Sequence, residues 1–285
     1  MIAGILLALG AAFSWALSSV LSKMIMERIS PLSLNIVRLL ISGLVYLGMF
    51  LVLPFPNKPI LWWLIVIASG VLGFTVADFM FLKGMKEVGV SRASILVTPH
   101  PILTMILAHY FLGRPLNSGI FLGAFLIVLA VIILLSESGN RESKTSFEGV
   151  LWIFGAEALW TVAVLLTDWL VENESPLLIT GLRIIGGSIG AIFFVPSVLK
   201  EVKRISIRDY VWIVIITFLG TVIGQYLFVM AIRLVTSSIA TPITESSPIM
   251  ATILAAFILK EEITERIFIS IILAFVGVIL IGIFM

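Results

Sequence analysis

The residue best placed to do chemistry is Glu245, which lies in an apolar stretch within the sequence IATPITESSPI, residues 239–249. Pro242 and Pro248 flank it, and each proline removes a backbone N–H donor and leaves a carbonyl without its helical partner. A carboxyl group in such a place can bind a cationic or hydrogen-bonding solute, or carry a coupling proton. The alternative is a protonated glutamic acid that bonds a freed carbonyl and holds neighbouring segments together.

A similar stretch, ASILVTPHPI, occupies residues 93–102 and contains Pro99 and Pro101. Pro101 precedes Pro248 by 147 positions, so the two stretches lie at matching places in the two halves of the chain. Apolar segments that are broken by proline at corresponding positions indicate a binding site near the bilayer midplane of a transporter.

Two polar residues of the first stretch are further candidates for this site. Thr98 corresponds to Glu245, and His100 lies between two prolines, where regular helical hydrogen bonding is broken. His100 is either a neutral ring that bonds a loose carbonyl or a titrating residue that faces a cavity.

Glu157 and Trp160 share one face of an apolar segment at positions i and i+3, and Trp15 is the counterpart of Trp160 in the first half. A tryptophan in mid-span needs a partner for its indole N–H, which a polar cavity or a neighbouring carbonyl supplies. Glu157 is therefore a second candidate carboxyl, and both tryptophans are candidate cavity residues.

Asp78 corresponds to Gln225, and Tyr226 follows Gln225 directly. Asp78 belongs either to the site or to an interhelical hydrogen bond, and Gln225 and Tyr226 are residue types that often join packed helices. All three are kept as candidates.

Asn35 and Arg38 share a helical face, and Arg38 recurs as Arg183 in the second half. These arginines could attract an anionic substrate. We expect them instead to extend toward the membrane interface, where long cationic side chains commonly place their charge.

The composition indicates a protein that is solvated by lipid. Hydrophobic residues make up 60% of the 285-residue chain and charged residues 12%, whereas a soluble domain has about 25% charged residues. The net charge of +2 is spread over short loops, which gives no basic face for nucleic acid. Cysteine is absent, which excludes thiolate chemistry, and the motifs of intramembrane and soluble hydrolases are missing. We therefore expect no enzyme activity, no cofactor and no metal site.

Segments of about 20 apolar residues are long enough to span a bilayer. Ten such segments are present, at 2–23, 32–53, 60–82, 91–112, 116–135, 149–170, 177–198, 210–232, 237–259 and 266–284. The polar sequence 136–148 divides them into two sets of five, so we predict repeats at 1–135 and 149–285 joined by this linker.

The two sets match along nearly their whole length. Trp15 and Trp160 are 145 positions apart, and the distance becomes 147 after the second span, as in Gly73 and Gly220. Because five is an odd number of crossings, the second repeat must be inverted in the membrane relative to the first. The predicted fold is an all-α membrane protein with ten transmembrane helices in two inverted five-helix repeats.

These features resemble those of the drug/metabolite transporter superfamily, and specifically of proteins with paired EamA domains. The residues that carry the resemblance are the two tryptophans, the pairs Pro31…Arg38 and Pro176…Arg183, and the segments that run from Gly73-FTVADFMFLKGM and Gly220-TVIGQYLFVMAI. The resemblance implies a ten-helix bundle with a central cavity that both halves line.

The sequence and the resemblance together predict a secondary active transporter of a small organic metabolite, such as an amino acid, an amine or a nucleoside. Export is the commoner role in the families that the chain resembles, and protons are a candidate coupling ion. A lipid-handling or channel-like protein without coupled transport is the alternative. One chain holds both halves of the repeat, so a monomer is sufficient, although a dimer is compatible with the sequence.

The lysines and arginines of the loops are distributed unequally between the two sides of the membrane. Most lie in the loops that follow spans 1, 3, 5, 7 and 9, whereas Lys58, Arg114 and Arg233 lie on the other side. The positive-inside rule therefore places both termini outside the cell membrane. Relatives in the superfamily usually have both termini inside, so the two expectations conflict.

Overall fold

The computed structural model describes residues 1–51, 56–136, 146–259 and 264–285, and these residues form helices and connecting turns without any strand. The α-helices are α1 (Ile2–Met26), α2 (Pro31–Phe50), α3 (Ile60–Gly70), α4 (Asp78–Val88), α5 (Val90–Leu96), α6 (His100–Leu112), α7 (Ser118–Ser136), α8 (Phe147–Val171), α9 (Pro176–Ile192), α10 (Val195–Val202), α11 (Ile207–Thr217), α12 (Gln225–Val235), α13 (Ser237–Thr244), α14 (Ser247–Leu259) and α15 (Glu265–Phe284).

Two π-helical segments complete the third and eighth predicted spans. Val71–Ala77 joins α3 to α4, and Phe218–Gly224 joins α11 to α12. The two segments are 147 positions apart at both ends, which is the spacing that the sequence shows for this part of the repeat. Such wide helical turns are rare and occur frequently at functional sites.

Eight helical segments of the described chain are long and apolar enough to cross a membrane, and a ninth forms if the bent pair α9 and α10 is one span. The bend between α9 and α10 is 83°, and Pro196 lies in the first turn of α10. The predicted span 237–259 is broken at Glu245 and Ser246 into α13 and α14. The prediction of an all-α membrane protein is confirmed.

The predicted linker falls largely outside the described residues. Of the range 136–148, residues 137–145 are not described, whereas α7 ends at Ser136 and α8 begins at Phe147. The repeat boundaries at 135 and 149 therefore stay a prediction.

The helices α7 and α15, which are the fifth spans of the two halves, pack closely against each other. Their backbones approach through small residues. A Cβ atom on Gly123 would lie 2.6 Å from the carbonyl oxygen of Gly277, and a Cβ atom on Gly277 would lie 2.6 Å from the carbonyl oxygen of Gly123. Small residues allow membrane helices to associate in this way because lipid provides no hydrophobic force between them.

We expect Gly123→Ala to lower the thermal unfolding midpoint of the detergent-purified protein, because the new methyl group would push α7 away from the backbone of α15. The matched control is Gly48→Ala in α2, where a Cβ atom meets nothing within 4 Å. Alanine favours a helix over glycine by about 1 kcal/mol, so the control should be neutral or slightly stabilising. Equal effects of the two substitutions would contradict the close packing.

Candidate functional site

A cavity of about 370 Å³ lies at the centre of the bundle, between the two halves of the chain. Spans 1 to 4 and 6 to 9 each contribute side chains to its wall. The predicted candidates that line it are Trp15, Asn35, Asp78, His100, Trp160, Gln225 and Glu245.

Each mid-span tryptophan donates a hydrogen bond to the opposite half of the chain. The indole N–H of Trp15 donates to the carbonyl of Gly220 at 3.0 Å, and that of Trp160 donates to the carbonyl of Gly73 at 3.0 Å. Both glycines lie in the π-helical segments. The two halves are therefore joined at the cavity by the same contact, made twice.

Asp78 accepts hydrogen bonds from two helices, α2 and α8. Its carboxylate accepts from the Trp160 indole at 3.0 Å and from the Asn35 side-chain amide at 3.1 Å, and it interacts electrostatically with Arg38. Gln225, at the corresponding place in the second half, supplies no negative charge. The first half thus places a carboxyl group at the cavity wall where the second half has an uncharged amide.

The two arginines lie at the cavity rather than at the membrane interface. Arg183 is only 3% exposed, and both Arg38 and Arg183 line the central cavity. Our expectation that they extend to the interface is wrong, because packed helices surround both side chains. The guanidinium of Arg38 donates to the Thr221 hydroxyl at 3.1 Å, and that of Arg183 donates to the Ser69 hydroxyl at 3.3 Å.

The acidic side of the cavity is built around the break between α13 and α14. Glu245 Oε1 lies 3.8 Å from His100 Nδ1, and the His100 ring stands edge-on to the Trp160 ring with centroids 6.3 Å apart. Glu157 is buried beside them and interacts electrostatically with Glu245. One oxygen of Glu157 is buried without a hydrogen-bond partner in the described chain.

Three candidates, Glu157, Thr98 and Tyr226, are not part of the cavity wall. The Thr98 hydroxyl donates to the carbonyl of Ile95, which is local capping within its own segment. Tyr226 is half-buried and lies near Tyr46. The four prolines shape the broken helices: Pro99 and Pro101 lie at the start of α6, Pro242 lies inside α13, and Pro248 follows the first residue of α14.

The central cavity continues toward one face of the protein. A second cavity, of about 270 Å³, shares Asn35, Arg38, Asp78 and Trp160 with it and extends to Met26 and Pro31, at the first connection between spans. This face carries the loops that are rich in lysine and arginine.

The opposite face is held together by buried charges. Arg114 pairs with Asp168 at 2.8 Å, and the other oxygen of Asp168 accepts from the backbone N–H of Ser237 at 2.8 Å. Asp168 is 2% exposed, so this contact joins the ends of α6, α8 and the start of α13 away from water. Lys58 and Glu174 form an ion pair between two loops of the same face.

Sequence reasoning missed several residues of the site. Thr241 and Thr244 line the cavity, but threonines on apolar helices are common and gave no signal. The structural contact of Asp168 was also not anticipated, because its position near a helix end suggested exposure. Within the described residues, no cluster of three histidine, aspartate or glutamate side chains could hold a metal ion.

We expect Asp168→Ala to lower the free energy of unfolding by about 3–5 kcal/mol, because it leaves the Arg114 charge without its buried partner. Glu172→Ala is the matched control. Glu172 contacts the same arginine at 3.5 Å but its side chain is 51% exposed, so its loss should change stability by less than about 1 kcal/mol. Thermal or denaturant unfolding of the purified variants measures both, and similar losses would contradict the assigned burial of the pair.

Comparison with known proteins identifies the architecture. A transporter of Archaeoglobus fulgidus, named only as uncharacterized, is 25% identical over 264 residues, which cover 92% of this chain and 91% of the relative. The uncharacterized transporter YdfC of Bacillus subtilis is 26% identical over 231 residues, covering 81% and 74% of the two chains. A solved crystal structure with 14% identity superposes with a TM-score of 0.80 and covers 97% of this chain and 95% of the other, which shows a shared fold.

The family model for EamA-like transporters matches residues 2–136 and 147–283, nearly the whole chain. Members of that family have ten transmembrane helices in two repeats, and the relatives are transporters rather than enzymes. The chain therefore belongs to the EamA-like transporter family.

Proposed function

We propose that the protein is a secondary active transporter that moves a small organic metabolite, such as an amino acid, an amine or a nucleoside, and that it works as an exporter. The observation that carries this proposal is the polar cavity at the centre of the bundle. Its walls come from both halves, and the broken helix around Glu245 contributes its acidic side.

The central cavity is connected to one face of the protein and closed toward the other, which supports an alternating-access mechanism. The second cavity connects the site to the face that carries most of the loop cations, and the Arg114–Asp168–Ser237 contact closes the opposite face. Rocking of one half against the other would break this contact and close the connecting cavity. One chain contains both faces of this cycle, so a monomer is sufficient for it.

The carboxyl pair supports proton coupling. Glu245 lies at the cavity wall, 3.8 Å from His100 Nδ1, and Glu157 is buried with one oxygen that has no hydrogen-bond partner among the described residues. A carboxyl group inside a membrane-spanning segment can carry a coupling proton. A solute that carries positive charge or donates hydrogen bonds would displace that proton. This exchange would link transport to the proton gradient.

The direct test is uptake into proteoliposomes that contain the purified protein. Saturable entry of a radiolabelled amino acid, amine or nucleoside, faster with an imposed pH gradient than without it, would support a proton-coupled carrier. Movement of labelled phospholipid between leaflets, with no saturable solute entry, would favour the lipid-handling alternative instead.

We expect Glu245→Gln to keep measurable solute exchange between the two sides of the vesicle, with a weaker apparent affinity for a solute that carries an ammonium group. The stimulation by a pH gradient should fall by at least about tenfold, because the amide cannot carry the coupling proton. Glu172→Gln, an exposed glutamate outside the cavity, is the matched control. A Glu245→Gln protein that retains full proton-driven transport would remove Glu245 from the coupling role.

The orientation has its own test, because the chain contains no cysteine that would interfere with labelling. Lys203 and Asn173 are exposed on opposite faces of the bundle. The distribution of loop cations predicts that Asn173→Cys reacts with an impermeant maleimide in intact cells, whereas Lys203→Cys reacts only after permeabilisation. The reverse labelling pattern would place both termini in the cytoplasm, as is usual in the superfamily.

A further inference from the structure

We propose that the substrate of the central cavity is a zwitterion whose carboxylate binds Arg183 and whose ammonium group faces Glu245. This inference rests on the proposed transport function and specifies the chemical class of the solute. It starts from a difference between two arginines that the repeat places in corresponding positions.

The first arginine shares the cavity wall with a carboxyl group of its own half, Asp78. Arg38 interacts electrostatically with Asp78, which also accepts hydrogen bonds from Asn35 and Trp160. In the second half, Arg183 corresponds to Arg38, and Gln225 corresponds to Asp78. The two sites therefore share an arginine at the cavity wall, but the carboxyl group of the first half is replaced by an uncharged amide in the second.

The surroundings of Arg183 do not replace that charge. Its guanidinium donates to the Ser69 hydroxyl and lies 5.0 Å from the centroid of the Phe74 ring, and no ion pair of the described residues includes it. The side chain is nevertheless 3% exposed. A buried cation without an anion is strongly unfavourable, so an anionic ligand would complete this site.

The guanidinium is accessible from the cavity. Arg183 is part of the cavity wall, and the hydrogen bond of its Nε to Ser69 leaves its two terminal nitrogens without a hydrogen-bond partner among the described residues. Arginine presents a fork of N–H donors that matches the two oxygens of a carboxylate. Phosphate has the same chemistry and is therefore included as a separate arm of the test.

The other end of the cavity has the opposite charge. Glu245 of the cavity wall and the buried Glu157 correspond to Thr98 and Ala12 of the first half, so the second half has two carboxyl groups that the first half lacks, whereas Gln225 takes the place of the Asp78 carboxyl. The side chain of Glu245 is 30% exposed, and Glu245 lines the cavity. Trp15 and Phe228 also line the cavity, and their rings pack together with centroids 5.4 Å apart and offer an apolar wall. An ammonium group at one end and a carboxylate at the other match this arrangement.

The experiment is ligand binding to the detergent-purified full-length protein, followed by thermal unfolding and by the fluorescence of the cavity tryptophans. The probes are the twenty common amino acids, followed by three relatives of the strongest binder: its amide, its deaminated acid and its decarboxylated amine. Inorganic phosphate is added as a further probe. We expect the zwitterion to bind at least about tenfold more tightly than each of its three relatives and than phosphate.

Substitutions then test whether the preference for the zwitterion over its relatives depends on Arg183. Arg183→Gln should weaken binding of the zwitterion by about ten- to hundredfold and remove the difference between the zwitterion and its amide. Arg183→Lys should retain part of the affinity because the charge remains. Arg233→Gln, an exposed arginine at the end of α12, is the matched control and should bind as the unmodified protein does.

Gln225→Asp keeps Arg183 and supplies the missing counter-ion, so it should weaken zwitterion binding by about tenfold while the unliganded protein unfolds at the same or a higher temperature. This variant separates loss of the ligand site from loss of the fold, which Arg183→Gln alone cannot do. Binding that requires no carboxylate, tighter binding of phosphate, or no binding by any carboxylate-bearing probe would each overturn the proposal.

The two proposals fail in different ways. Zwitterion binding that depends on Arg183, without saturable entry into proteoliposomes, would retain the assigned site and reject the transport function. Saturable transport of an amine or a nucleoside that Arg183→Gln leaves unchanged would retain the transport function and reject the zwitterion.

Discussion

The hydrogen bond between a mid-span tryptophan and a glycine carbonyl of the opposite repeat is the contact on which the rest of the site depends. In lipid, every backbone carbonyl and every indole N–H needs a partner inside the protein. The π-helical segments change the register of backbone hydrogen bonding at Gly73 and Gly220, and each glycine carbonyl accepts from a tryptophan. The absence of a side chain at each glycine also leaves room for an arginine beside it. One device therefore joins the halves, opens the cavity and positions its charges.

The site itself arises from differences between the repeats. A symmetric frame would place equal groups on both sides of the cavity and could not distinguish the two ends of a solute. Three paired positions break this equality, because Asp78 corresponds to Gln225, Thr98 to Glu245, and Ala12 to Glu157. Each change alters charge at a buried position, where electrostatic interactions are weakly screened. The repeat thus determines the arrangement of the helices, and the residues that differ between the two halves determine where charge lies around the cavity.

Much of the fold could be predicted from the sequence, because the residue types that recur in the two halves each have a known structural effect. Prolines at helix starts, small residues at close contacts and lipid-compatible spans of fixed length indicated the ten-helix family, which the comparisons confirm. The π-helical segments could not be predicted from the sequence, because their residues are also common in ordinary α-helices. The 83° bend between α9 and α10 was also not predicted, because α2 at the corresponding place continues to Phe50.

The site was less accessible to sequence reasoning than the fold. Glu245, Trp160 and Asp78 were identified because a charge or an indole in an apolar span needs a partner. Arg183 was assigned to the interface because a long cationic side chain can reach water from two turns inside a helix. Only the packing of neighbouring helices shows that it does not. Sequence gives the depth of a side chain along its helix, whereas the direction in which it points depends on partners that are distant in the chain.

In the proposed alternating-access cycle, the connection between α12 and α13 would affect the relative free energies of the two conformations. Thr236 has φ 70° and ψ 165°, and Gly89 has φ 88° and ψ 153° at the corresponding connection between α4 and α5. Glycine adopts this backbone region freely, whereas for other residues it costs of order 1–3 kcal/mol. Two identical halves would make the inward- and outward-facing conformations equal in free energy. Strain that is stored at this connection in one half only can be released when that half moves, and about 1.4 kcal/mol is enough to change the ratio of the two populations tenfold. The resting direction of the carrier would then be set by a backbone torsion far from any ligand.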